Sequence, residues 1–260
     1  MSNATTRFAL TDEQVAQYDE VGFVRLEGFV DQATCDAMLE RVVAVSRAHA
    51  DGDRSSGWLL PESNLAGSEG LPEQLVAKIF RLARDGVFQD WITSPDVTDV
   101  AADILGTENV DCFLSQFIFK NPGAWGQPWH QDSHYFDFAP DGGRPIVGLW
   151  VAVTEATLEN GCLHVVPGSH REPVHEHVDD RRPGALLGYR EIVDYDMSTE
   201  IPVLMNAGDL LIFDSHLMHM STDNVSDGIR AAMVYHCART GTTDVANHPV
   251  NDWMTVRTAS

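Results

Sequence analysis

From about residue 109 the chain stops reading as helix and breaks into short β-rich runs. No other feature constrains the fold as much. The runs cover residues 110–119, 146–153, 163–166, 201–204, 209–213 and 229–237, with Gly, Pro and Asn between them. Many short strands separated by turn signals pack as a sandwich or barrel. The first hundred residues read differently. Thr11 followed by Gln14 resembles a capping box, with Val15 and Tyr18 on one apolar face and Gly22 as the stop. Residues 23–26 alternate like a short strand. Asp31 is the expected N-cap of a helix through Cys35, Met38, Leu39, Val42 and Val43. Residues 52–70 read as a long loop, a lid or binding element carrying Trp58. Helical spacing returns at Leu75, Ile79 and Leu82, and again from Pro95, with Ser94 as cap and Val97, Val100, Ala101 and Ile104 inward.

The expected organisation is one unit over residues 1–260: a mostly helical buttress with a lid loop to about 108, a β core over 109–240 and a tail over 241–260. The segment 170–200 is polar and reads as loop. Hydrophobic residues make up 43%, enough for a sizeable core. The formal charge of −22 repels phosphate backbones and sets nucleic acid aside as a partner. The four cysteines form no CxxC pair, so no zinc knuckle or disulfide framework is expected. No apolar run reaches the roughly 18 residues that span a bilayer, and the N-terminus lacks a signal-peptide core. The expected location is therefore cytoplasmic, away from membranes. The oligomeric state is left open.

The chemistry concentrates in two segments. In Trp129-His130-Gln131-Asp132, residues two apart on extended backbone project to the same side. His130 and Asp132 can therefore present an imidazole and a carboxylate to one point. Such a triplet is a common coincidence by itself. A second His from a distant strand would complete two His and one carboxylate, a set that leaves positions open on an octahedral iron. The downstream segment supplies one: His219 ends a strand region, and Arg230 follows eleven positions later. A planar guanidinium suits bidentate capture of a carboxylate, so the pair forms a minimal site for a dicarboxylic keto acid.

With these elements the chain resembles the phytanoyl-CoA dioxygenase family of Fe(II)- and 2-oxoglutarate-dependent oxygenases. The matching stretches are LTDEQVAQYDEVGFVRLEGF, PWHQD, ENGCLHVVPGSH and GDLLIFDSHLMHMSTDNVSDGIR, from about residue 9 to about residue 237. The resemblance implies a mainly β, cupin-like jelly roll (a double-stranded β-helix) with buttressing N-terminal helices. It implies iron held by His130, Asp132 and His219, and the distal carboxylate of 2-oxoglutarate held by Arg230 with Ser221. Lys120, Gln116 and Trp150 fall where family members often contact this co-substrate. The implied reaction consumes O₂ and 2-oxoglutarate, releases succinate and CO₂, and oxidises a small molecule.

Rivals for these roles yield to spacing. His216 lies three residues before His219, and three steps along a strand reverse the side chain. The His-x-Ser and His-to-Arg spacings of the family match from His219. His134, two past Asp132, either faces the same cavity or lies in solvent. Tyr135 and Phe136 are core or lid residues, or with Trp58 and His134 meet the substrate. His175 and His177 are expected at the surface, and His164, His236, His49 and His248 carry no distinguishing pattern. Asn160-Gly161-Cys162 reads as a tight turn. Halogenating relatives replace the carboxylate ligand with a small residue, and the presence of Asp132 favours hydroxylation. Desaturation or cyclisation could follow the same oxidising step. A non-catalytic binding module on the same barrel is the competing class. The substrate pocket is expected from residues 52–70, 133–145 and 170–200.

Overall fold

The computed structural model describes residues 9–136, 146–185, 188–243 and 248–259. Helix α1 (Asp12–Val21) carries the expected capping box at Thr11 and Gln14 and ends at Gly22, which is left-handed at φ 88°. Strand β1 (Phe23–Leu26) follows, then α2 (Gln32–Ala50), where the Asp31 side chain accepts from the Thr34 N–H. Next come β2 (Trp58–Pro61), β3 (Val76–Phe80), α3 (Gly86–Ile92) and α4 (Pro95–Leu105). Ser94 occupies the N-cap of α4 as expected, but its side chain makes no capping bond. The β region holds β4 (Val110–Lys120), β5 (Val147–Ala152), β6 (Leu163–Val165), β7 (His177–Asp179) and β8 (Arg190–Ile192). It continues with β9 (Ile201–Val203), β10 (Leu210–Asp214), β11 (His219–Ser221), β12 (Arg230–Arg239) and β13 (Met254–Arg257).

Seven strands of the main sheet run in the order β1-β10-β5-β12-β4-β3-β2, and β13 joins β4. A smaller sheet runs β11-β6-β9. The pairs within both are antiparallel, and together they make the jelly roll. Alternation along the central strands explains the layering. On β12, Ala231, Met233, Tyr235 and Cys237 face the helices, while Ala232 and Val234 face the smaller sheet. β10 repeats this, with Leu210 and Ile212 on one side and Leu211 and Phe213 on the other. Helix α3 is tied to this sheet by the Tyr235 hydroxyl, which donates to the Phe88 carbonyl at 3.0 Å.

Four sequence expectations change. The helix expected through Leu75, Ile79 and Leu82 is strand β3, preceded by a 3₁₀ turn over Pro72–Leu75. Val76, Ala77, Lys78 and Ile79 are all buried, so the run has no alternation to distinguish strand from helix. Residues 52–70 are not one loop: β2 lies within them and pairs with β3 as the sheet edge. Residues 170–200 contain the antiparallel pair β7-β8, and the tail contains β13. Of the expected pocket loop 133–145, residues 137–145, including Phe138, lie outside the described residues.

Candidate active site

His130 and His219 face each other as backbone partners. The N–H of each donates to the carbonyl of the other, at 2.9 and 3.0 Å. This cross-strand pairing sets their rings 4.1 Å apart. Each ring is oriented the same way. The Nδ1–H of His130 donates to the Pro128 carbonyl at 2.8 Å, and that of His219 to the Leu217 carbonyl at 2.9 Å. With both Nδ1 protons committed, both Nε2 lone pairs are free to bind a metal. They converge on Asp132 Oδ1, at 3.4 Å from His130 and 3.8 Å from His219. The three ligand atoms lie within 4.8 Å of one another, and all three residues are buried. Burial, reinforced by His130, pushes His219 down to about 4, which leaves its ring neutral. Burial alone would raise the Asp132 carboxyl. The imidazoles of His219 and His236 beside it, and the contacts with His130 and His236, outweigh it and hold it well below the usual range.

Gln131 points the other way, as alternation requires. It is fully buried, its amide donates to the carbonyls of Pro173 and His216, and its Oε1 accepts from the His175 N–H. His216 thus contributes a backbone carbonyl, and its side chain does not join the ligand cluster. His177, expected at the surface, is buried. Its Nδ1–H donates to the His175 carbonyl, and its Nε2 accepts from the Gln131 N–H. His134 stacks on His177, with ring centroids 4.0 Å apart, and does not line the cavity, contrary to one of its expected placements.

The ligand cluster opens onto a cavity of about 330 Å³. Gln116, Lys120, Trp150, Ser221 and Arg230 line it, as do Tyr135, Phe136 and Trp58. Arg230 is 1% exposed. Its Nε and Nη2 donate to the Gly161 carbonyl at 3.2 and 3.0 Å, and its guanidinium lies 5.6 Å from the Trp150 ring centre. Its Nη1 is buried with no partner. Burial pushes the group down to about 10, so it remains charged at neutral pH. A buried cation whose Nη1 has no partner favours an incoming carboxylate. Ser221 Oγ accepts from Lys120 Nζ at 2.7 Å and from the Gln127 N–H at 3.2 Å, which leaves its own proton free to donate. The Gly161 turn therefore does more than the tight turn read from sequence, because its carbonyl orients the guanidinium.

Sequence reasoning missed several wall residues. Lys78 is buried, donates to Gln127 Oε1 at 3.0 Å, and is pushed by burial down to about 8. Glu62 and Tyr189 also line the cavity. His236 is 1% exposed, and its Nε2 hydrogen bonds Asp132 Oδ2 at 2.8 Å. The available signal was parity: His236 lies six residues after Arg230 on β12, on the same face.

The donor set, two imidazoles and one carboxylate, fits a divalent iron, and it lines the same cavity as the buried guanidinium of Arg230. Among the described residues no helix is long and apolar enough to cross a membrane.

A family model described as phytanoyl-CoA dioxygenase (PhyH) matches residues 18–232. A probable phytanoyl-CoA dioxygenase of Caenorhabditis elegans is 30% identical over 238 residues, covering 88% of this chain and 75% of the relative. A phytanoyl-CoA dioxygenase domain-containing protein 1 of Rattus norvegicus is 29% identical, covering 87% of this chain and 89% of the relative. Among solved structures, EvdO2 from Micromonospora carbonacea var. aurantiaca complexed with 2-oxoglutarate superposes with a TM-score of 0.69 at 20% identity, covering 94% of this chain and 97% of that one. EctD from S. alaskensis with 2-oxoglutarate and 5-hydroxyectoine gives 0.68 at 21% identity, covering 92% and 78%. At these identities the likeness is one of fold.

Proposed function

The chain belongs to the phytanoyl-CoA dioxygenase family of iron- and 2-oxoglutarate-dependent oxygenases, and on that premise we propose that it hydroxylates a small, partly apolar organic molecule with release of succinate and CO₂. The observation that carries this reading is the buried Arg230, whose Nη1 has no partner, in the same cavity as the His130, Asp132 and His219 cluster. His130, Asp132 and His219 would hold the iron. Arg230 and Ser221 would hold the distal carboxylate of 2-oxoglutarate, a role for which Lys78 and Lys120 supply further positive charge.

Bound iron, with 2-oxoglutarate and O₂, supplies the oxidising power of the reaction. The protein residues supply position and environment. The carbonyls of Pro128 and Leu217 lock the tautomers of the two histidines. Lys120 donates to Ser221 Oγ, so the hydroxyl proton of Ser221 would be free to bind the co-substrate. The apolar walls formed by Leu114, Ile118, Phe136, Trp150 and Phe213 would limit water around a bound reactive centre and strengthen the charge interactions inside. Asp132, by filling the carboxylate position, leaves no place for halide, which favours oxygen transfer.

The test is succinate release after the protein is loaded anaerobically with Fe(II) and 2-oxoglutarate and then exposed to O₂. Substrate-stimulated succinate is expected from a metabolite screen. Arg230→Ala should raise the KM for 2-oxoglutarate by roughly a hundredfold or more, as expected when a buried charge partner is lost. Wild-type protein that binds Fe(II) but releases no succinate with any candidate would overturn the reading in favour of a binding module.

A further inference from the structure

Iron and 2-oxoglutarate account for only part of the cavity wall. Trp58, Leu60 and Glu62 fall at alternate positions along β2 and its extension, and all three line the cavity. Trp58 is half exposed at the mouth, while Glu62 is only 3% exposed. The Glu62 backbone is fixed by its N–H, which donates to the Leu75 carbonyl at 2.9 Å. Its side chain is less well served: Oε1 is buried without a hydrogen-bond partner.

The two cations nearest in charge terms are engaged elsewhere. Lys78 Nζ donates to Gln127 Oε1, and Lys120 Nζ donates to Ser221 Oγ and the Thr222 carbonyl. Burial leaves the Glu62 carboxyl above its ordinary range, against the hydrogen bond from the Ser63 N–H, the charges of Lys120 and Lys78 and the hydrogen bond from the Asn64 N–H. A buried carboxylate short of donors is costly, and such an arrangement persists where a ligand supplies the missing donor. 2-Oxoglutarate cannot do so, since a dianion offers acceptors only. Iron has its own three ligands. Lys78, Lys120 and Tyr189 stand within electrostatic reach of Glu62, and the cavity also carries the apolar side chains of Leu60, Phe80, Leu114, Ile118 and Val250.

We propose that Glu62 is the polar anchor of the organic substrate and receives its hydrogen-bond-donating group. The substrate class is a small, mainly apolar molecule bearing a hydroxyl or an amine, not a carboxylate or phosphate ester at that end. This assignment rests on the reading of the cavity as the oxygenase chamber.

The experiment uses the full chain loaded with Mn(II) and 2-oxoglutarate, so that binding is read without turnover. Cyclohexylmethanamine, cyclohexylmethanol and cyclohexanecarboxylate, which share one apolar body, are titrated calorimetrically. The amine or the alcohol should bind about tenfold or more tightly than the carboxylate, the range of a hydrogen bond to a charged group. Whichever of the two binds more tightly identifies the donor. Glu62→Leu should erase the preference. The readout is the affinity ratio within each protein, so a general loosening of the cavity cancels. If Glu62→Leu fails to fold, Glu62→Gln should lose the amine preference. The proposal is overturned if the carboxylate binds as tightly, if none of the three binds the loaded protein, or if the variants keep the wild-type ratio. Wild-type protein that takes up neither Mn(II) nor 2-oxoglutarate in the first step refutes the oxygenase reading itself, a separate outcome.

Discussion

His236 and Asp132 are joined through Nε2 and Oδ2 at 2.8 Å, so the carboxylate has one oxygen committed to the protein and one, Oδ1, turned toward the Nε2 atoms of His130 and His219. The ring of His236 is wedged among Phe113, Phe136 and Phe213, which leaves it little freedom to swing away. Outer partners of this kind set ligand orientation. His236→Leu should weaken Co(II) or Fe(II) binding roughly 10- to 100-fold. His236→Gln, whose amide reaches the place of Nε2, should recover most of it. Equal affinities for His236→Leu and wild type in a Co(II) titration would show the bond to be incidental.

Gln131 makes a different contribution to the same centre. It lies between two ligands in sequence and points away from them, satisfying two carbonyls and one N–H in a fully buried position. Truncation strands all three. Gln131→Ala should cost about 3 kcal/mol in chemical denaturation, the range expected when buried polar partners are orphaned. It should also weaken metal binding by loosening the chain on both sides of it.

Gly161 couples backbone shape to co-substrate binding. Its φ is +84°, and a Cβ there would stand 2.5 Å from the Thr222 carbonyl oxygen and 2.6 Å from Lys120 Cδ. Gly161→Ala should destabilise the fold by about 1–3 kcal/mol, the cost of a strained non-glycine residue. It should raise the KM for 2-oxoglutarate as well, because the carbonyl that orients Arg230 must shift. Loss of stability with an unchanged KM would separate the two roles.

Asp252 is expected to set a pH dependence of its own. Burial raises its carboxyl from 3.8 to about 7, against the opposing pull of Arg81 and Arg84, and its Oδ1 has no partner. A raised folded-state value means that the folded protein holds the proton while the unfolded chain releases it. The associated stability is complete below pH 3.8 and is lost as the pH rises through about 7. Asp252→Asn should therefore be more stable than wild type at pH 8, by at most about 4 kcal/mol. The difference should shrink toward pH 4 in denaturation curves taken across that range.

The clustering of His130 with Asp132 was legible because their spacing is local, two residues apart on one extended segment, whereas the convergence of the distant His219 on them, and of Arg230 on the same cavity, was legible only through the family resemblance. The caps at Thr11 and Asp31 were legible from local spacing. β3 was not, because a strand buried on both faces shows neither period. β2 was hidden by the Gly- and Ser-rich sequence around it. His236 and Glu62 carry no local motif. For His236 the one cue was parity with Arg230 along β12, while Glu62 gains its importance only when β2 turns a particular face to the cavity. His177 looked exposed in a polar segment and is buried because the β7-β8 pair folds back over Gln131.

The backbone ladder between His130 and His219 ties the lifetime of a bound metal to the mechanics of the chain. The ligands cannot part without breaking both of their mutual N–H to carbonyl bonds. An ion held by both side chains would add to what resists the unzipping of the segment before β5 from β11. The His130 and His219 amide protons become reporters of this coupling: their exchange with solvent deuterium should slow when metal is added, by the same factor that metal binding contributes to holding this edge closed.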